Sequence, residues 1–243
     1  MKASSTNNQD VWETLANKDA MWAACTSGKR HVDWRLDDFF ASGEREVAWA
    51  SRVARDIHIY PTRRSLAVDF GCGPGRLSGA LRERFLQVIG IDASRTMLTL
   101  ARRAYPEDNI SFSESTTTLE EDSADVVYST FVLQHLTQSQ VDDCFREFAR
   151  ILNPSGLLIF QYPARPRWTL PGIAFLVLPP SLLHAIQHYV LRYPGIMPMS
   201  WMGSEKVIQR AAACGLTILE YRAGPKYSPN WKDIWYFARK DSD

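Results

Sequence analysis

The run Leu66-Ala67-Val68-Asp69-Phe70-Gly71-Cys72-Gly73-Pro74-Gly75-Arg76 constrains the fold more than any other part of the chain. Five residues of strand character lead straight into three glycines spaced by single residues, and a helical pattern follows. A glycine-rich motif carries meaning in that context and little outside it. Glycines there take backbone angles closed to other residues and let a ligand approach the main chain. A helix predicted over Gly75 to Phe85 would aim free N–H groups and a partial positive charge at the bound group.

Beyond this loop the pattern alternates. Ser65 to Phe70, Leu86 to Ile91, Ile110 to Phe112, Asp125 to Ser129 and Gly156 to Tyr162 read as strands, separated by helical stretches over Ser94 to Ala104 and Ser139 to Leu152. Such alternation predicts a parallel sheet of α/β class. Ser94 and Ser139 are the expected helix N-caps, and Asn153-Pro154-Ser155-Gly156 is expected to stop the helix before the fifth strand.

The flanks differ in texture. Val11 to about Ile59 spaces its aromatic and aliphatic residues for short amphipathic helices. Pro163 to Trp201 breaks the alternation with repeated prolines and many apolar side chains, a length unusual for a simple connection. A helix over Ser204 to Cys214 and strands over Leu216 to Ala223 and Trp231 to Arg239 close the chain. The expected organisation is an N-terminal helical cap over 1–60, a ligand-binding core over 61–162, an inserted lid over 163–201, and completion of the sheet over 202–243.

Composition narrows the partners. In 243 residues, 28 Lys and Arg nearly balance 27 Asp and Glu, so no global field marks a nucleic-acid partner. Cys25, Cys72, Cys144 and Cys214 lie far apart with no Cys-x-x-Cys pair, which predicts free thiols and no zinc site. The polar N-terminus lacks the apolar core of a signal peptide. Prolines, His184 and His188 interrupt the apolar stretch Trp168 to Val190, which argues against a membrane-spanning helix. A cytoplasmic chain is expected, with membrane-surface contact and a homodimer both left open.

Two carboxylates specify the ligand. A dinucleotide fingerprint would place a small residue where this chain has Arg76. Asp69, just before the loop, would repel a pyrophosphate and suit a cationic ammonium group. Arg76 is suited to a carboxylate on the ligand or to a surface ion pair. Asp92, ending Val88-Ile89-Gly90-Ile91-Asp92-Ala93-Ser94, stands where an acid binds two ribose hydroxyls or caps a turn.

These residues, with Ser123-Ala124-Asp125-Val126-Val127-Tyr128 and Leu152-Asn153-Pro154-Ser155-Gly156-Leu157-Leu158, resemble the class I S-adenosylmethionine-dependent methyltransferases, in their small-molecule branch. The resemblance covers about Ser65 to Tyr162. It implies a Rossmann-like, seven-stranded sheet, mostly parallel with an antiparallel last strand, and S-adenosyl-L-methionine as cofactor. The implied cofactor contacts are Asp69, Gly71, Cys72, Gly73, Gly75, Arg76, Asp92, Ala93, Met97 and Thr130, with Glu114 and Ser115 near the adenine. Met97 at its helical position reads equally as core, and Ser113-Glu114-Ser115-Thr116 departs from the family's usual Gly-Asp pair.

For the methyl acceptor, His135 in Thr130-Phe131-Val132-Leu133-Gln134-His135 stands at the carboxyl edge of the sheet. It reads either as a general base or as a structural hydrogen-bonding residue. His184, His188, Tyr162 and Tyr189 lie in or beside the insertion and also read as packing or surface residues. The insertion and the N-terminal aromatic residues suit an acceptor pocket or a dimer interface. A weaker resemblance, in Trp12-x-x-Leu-Ala and Phe39-Phe40-Ala41-Ser42-Gly43, is to bacterial methyltransferases of sugars, glycolipids or secondary metabolites. It implies O-methylation of a small molecule. No spacing of carboxylates and histidines suggests a metal site, and no metal is expected. N- or C-methylation, or cofactor binding without turnover, are the alternatives.

Overall fold

A computed structural model of the chain describes residues 3–25, 34–106, 108–186, 189, 197, 199–225 and 227–241, with side chains from residue 9 onward except at Pro180. Seven strands form one sheet: β1 Leu66–Phe70, β2 Gln87–Ile91, β3 Ile110–Ser113, β4 Ala124–Ser129, β5 Leu152–Pro166, β6 Leu216–Arg222 and β7 Trp231–Lys240. Their order is β3-β2-β1-β4-β5-β7-β6. β1 to β5 pair in parallel, and β7 lies antiparallel between β5 and β6. The sheet agrees with the expected Rossmann-like architecture.

Helices α1 Ala3–Ala24 and α2 Leu36–Asp56 precede the sheet. α3 Ser78–Arg82, α4 Arg95–Ala104 and α5 Gln138–Ile151 cross between its parallel strands. α6 Leu170–Val177, α7 Pro180–Ala185 and α8 Ser204–Ala212 follow β5. Both faces of the sheet are covered, as a parallel sheet requires. One face packs Val68, Val127, Leu158 and Phe160 against Phe145 and Phe148 of α5. The other packs Ala67, Val126 and Ile159 against Val47, Ala50 and Ala54 of α2.

Three local expectations are corrected. The helix after the glycines begins at Ser78 rather than Gly75, because residues 71–77 are taken up by turns. The cap of α5 is Thr137 rather than Ser139: Thr137 and Gln140 exchange hydrogen bonds in a capping box. β5 starts at Leu152 and runs through Pro154 and Pro163, longer at both ends than Gly156 to Tyr162. Ser94 caps α4 as expected, accepting from the Met97 N–H at 3.2 Å.

At the amino edge of the sheet, Asp125 fixes three segments. Its Oδ2 accepts from the Ser65 and Leu66 N–H groups at 2.6 and 3.0 Å, and its Oδ1 accepts from Asn153 Nδ2 at 2.6 Å. Its carboxylate ties the starts of β1, β4 and β5 together, leaving the carboxyl ends to carry the site. Among the described residues, no helix is long and apolar enough to cross a membrane.

Candidate active site

A cavity of about 430 Å³ opens at the carboxyl ends of β1, β2 and β4, where ligands of open α/β sheets collect. Gly71 and Gly73 form its floor, Asp92, Ala93 and Met97 one wall, Glu114, Ser115 and Thr116 another, and Thr130, Phe131 and Val132 a third. Its volume lies in the range of small-molecule sites. Both floor glycines have positive φ, 78° and 53°. A Cβ on Gly71 would lie 2.0 Å from Val132 Cγ2, so the loops after β1 and β4 touch only because that position has no side chain.

Asp92 sits where β2 ends. Its Oδ2 accepts from the Gly73 N–H at 2.9 Å and its Oδ1 from the Ser94 N–H at 2.8 Å. Both proposed readings of Asp92, cap-like and ligand-facing, are therefore compatible: each oxygen keeps a lone pair for a hydroxyl on the cavity side. Burial raises its pKa, and the Ser94 and Gly73 N–H bonds oppose that rise. Met97 combines its two readings as well, lining the cavity while packing with Leu15 and Trp22.

Other expected contacts lie elsewhere. Asp69 is buried beneath the loop, accepting from Ser78 Oγ at 2.5 Å, and does not line the cavity. Burial, only partly opposed by the Ser78 hydrogen bond, pushes its pKa up to about 7. Cys72 is buried too, its thiol raised by desolvation, and Gly75 packs under the loop against Tyr105. Neither reaches the cavity wall.

Arg76 is the largest correction. Its guanidinium is buried and bonds Glu46 Oε2 at 3.0 Å instead of facing a ligand carboxylate. Desolvation works against that charge, yet the Glu46 carboxylate outweighs it and keeps the group protonated. Glu46 Oε1 accepts from Thr130 Oγ1 at 3.0 Å, and the paired Arg76 guanidinium lies 5.6 Å from the Tyr227 ring centroid. One buried side chain on α2 thus ties the glycine loop to the loop after β4.

The neighbouring loop is strained. Phe131 has φ 63°, a conformation uncommon for a bulky residue and often tied to function. It is held there by Gln161 Oε1, which accepts from its N–H at 3.2 Å; Gln161 in turn donates to Asp233 Oδ1 at 2.8 Å. Burial pushes the Asp233 carboxyl up to about 6.

His135 stands behind this wall. Its ring lies edge-on to Trp12 with centroids 4.8 Å apart, and its Nε2 is 3.1 Å from Gln134 Nε2. Trp12 lines the cavity and His135 does not. Tyr162 is buried against Ser200 Oγ at 2.7 Å, Tyr189 is exposed, His184 is half-buried on α7, and none of them lines the cavity. His188 lies outside the described residues.

α1 closes the cavity. Trp12, Ala23 and Ala24 line it, and Glu13 fastens the helix to α4, accepting from Ser94 Oγ at 2.6 Å and Thr96 Oγ1 at 2.5 Å. Those bonds hold the Glu13 carboxyl below its usual range. The sequence reading missed Glu46 and Glu13. Glu46 had a signal: with Phe39, Val47, Ala50 and Val53 it falls on the buried stripe of α2, and a charge on an apolar stripe needs a partner. Glu13 had none, since its partners lie eighty positions away in the chain.

Comparison with known proteins agrees with this geometry. Residues 68–160 match a family described as a methyltransferase domain. Trans-aconitate 2-methyltransferase of Methylobacterium radiotolerans is 34% identical over 100 residues, covering 40% of this chain and 38% of that one. The chain spans less than half the length of this curated relative. Magnesium protoporphyrin IX methyltransferase from Synechocystis PCC 6803, solved with bound SAH, superposes with TM-score 0.63 at 17% identity, covering 98% of this chain and 100% of that one. A SAM-dependent methyltransferase from Leishmania major gives TM-score 0.66 at 13% identity, covering 97% of this chain and 82% of that one. Residues 68–160 thus match a methyltransferase domain, and the chain has the fold of these solved methyltransferases.

Proposed function

We propose that this protein transfers a methyl group from S-adenosyl-L-methionine to an oxygen of an uncharged, partly apolar small molecule. The observation that carries the reading is Asp92, presented at the end of β2 on a cavity floored by two positive-φ glycines. The donor set fits the cofactor: a carboxylate for ribose hydroxyls, Ile91, Met97 and Leu136 as apolar walls, and Glu114 and Ser115 as polar groups beyond them. When bound, the cofactor would supply a sulfonium methyl, whose carbon an acceptor oxygen attacks in line as the C–S bond breaks and the neutral thioether leaves.

Such a displacement needs alignment and exclusion of water more than acid or base. Trp12 and Ala23 from α1 and Phe131 and Val132 from the loop after β4 supply an apolar enclosure. Thr130 is held by Glu46. His135 acts as a positioning residue, buttressing Trp12, and the acceptor proton passes to solvent.

Charge supports this acceptor class. Asp92, Glu114 and Asp143 line the cavity, and among the described residues no Lys, Arg or His does. A tricarboxylate such as the acceptor named for the trans-aconitate enzymes would meet like charge there. Neutral hydroxylated secondary metabolites or glycolipids fit better.

Radiolabelled methyl transfer to a panel of neutral phenols, sugars and glycolipids, with trans-aconitate alongside, tests this reading. Labelled product is expected from a neutral acceptor. Asp92→Ala should weaken S-adenosylhomocysteine binding at least 100-fold by calorimetry. Wild-type affinity in that variant would remove the ribose assignment, and transfer to trans-aconitate alone would overturn the acceptor class.

A further inference from the structure

α6 exposes several apolar residues, Leu170, Leu176 and Val177 among them. Phe175 packs on Trp231 with ring centroids 4.9 Å apart. Gly172 is buried against the Arg167 carbonyl, where a Cβ would lie 2.1 Å from the oxygen. These two positions define the inner side of the helix. Leu170, Ile173, Ala174 and Val177, at i, i+3, i+4 and i+7, share the opposite face, and Leu170 and Val177 are 86% and 69% exposed.

Exposed apolar residues also flank α6 in sequence. Trp168 is 78% exposed just before it, and Leu182 on α7 is exposed after it. The helix is fixed in place by Thr169, which caps Gly172 N–H at 3.1 Å and donates to Asn230 Oδ1 at 2.9 Å. Exposed apolar residues clustered on and beside an anchored element mark an interaction site.

Charge identifies the occupant. No Asp or Glu occurs between Glu147 and Glu205, while Arg165 and Arg167 are exposed where the chain enters the patch. An apolar helix face with an exposed Trp and adjoining cations matches the interfacial zone of a bilayer, where aromatic rings sit at headgroup level and arginines meet anionic lipids. We propose that α6 and its flanks dock this protein on an anionic membrane surface.

Co-sedimentation of the full chain with phosphatidylcholine vesicles, with and without phosphatidylglycerol, tests this. Binding is expected to the anionic vesicles, weakening as salt is raised. Leu170→Ser with Val177→Ser should reduce it at least ten-fold, and Arg165→Gln should reduce its salt dependence. Brominated lipid should quench Trp fluorescence in the wild type and much less in Trp168→Phe. All four positions are exposed, so thermal melting and S-adenosylhomocysteine binding should remain unchanged, which separates this test from that of the catalytic reading.

Absence of binding to both vesicle types would overturn the proposal. So would equal binding with and without phosphatidylglycerol. A concentration-dependent dimer in sedimentation, abolished by the same Leu170 and Val177 changes and unaffected by vesicles, would assign the face to a second copy instead.

Discussion

The cofactor end of the sheet and the segment after β5 treat their side chains in opposite ways. Around the glycine loop, charged groups are buried and paired: Arg76 with Glu46, Asp69 with Ser78, Asp92 with two backbone N–H groups. On α6, apolar groups are exposed. The first region specifies a geometry, because each buried polar atom there admits few partners. The second leaves its geometry to whatever covers it.

The comparison breaks most sharply at Glu46. Glu46→Gln keeps the shape but leaves the Arg76 guanidinium buried without its counter-charge, which should cost about 3–5 kcal/mol in urea unfolding. Glu46→Leu with Arg76→Met should recover much of that stability. Cofactor affinity should stay depressed in the double variant, because Thr130 has lost its acceptor. Full recovery of both would show that the carboxylate serves stability alone.

Asp69 comes next. Its native pKa of about 7 exceeds the ordinary carboxylate value of about 4. Between those values the native state holds a proton that the unfolded state releases, so stability falls as pH rises through that window. Asp69→Asn should remove this fall, flattening the unfolding midpoint between about pH 4 and about pH 7. An unchanged slope in the variant would place the titration elsewhere.

His135→Ala should lower single-turnover transfer by less than about ten-fold, below the 10²–10⁴-fold usual for a lost general base. The remaining activity should keep its pH profile. A larger loss together with a flattened profile would restore His135 as the base. The smallest effect belongs to the exposed region: Leu170→Ser should change unfolding stability by no more than about 0.5 kcal/mol. A larger loss would mean that α6 packs on the protein after all.

How much of this was legible follows from the range of each interaction. The strands were readable because their apolar runs and breakers are local, and the glycine loop because strand, glycines and helix adjoin in sequence. Asp92 was readable by its distance from that loop. The fate of Arg76 was not, since its partner Glu46 is thirty positions earlier on a helix whose docking only the tertiary fold decides. Asp69 was placed correctly at the end of β1, yet its burial beneath the loop depended on where Ser78 would fall. The α5 cap is a different case: Thr137-x-x-Gln140 was a readable signal that Ser139 displaced.

The Glu46 carboxylate also limits how this protein can be recombined. It stands on α2, and its partners stand on the glycine loop and after β4. A chimera that grafts another methyltransferase's N-terminal helices onto this sheet inherits an unpaired buried arginine unless the graft brings an acid to the same place. The two helices and the sheet are thus one unit of exchange, although a boundary near residue 60 is the natural place to cut.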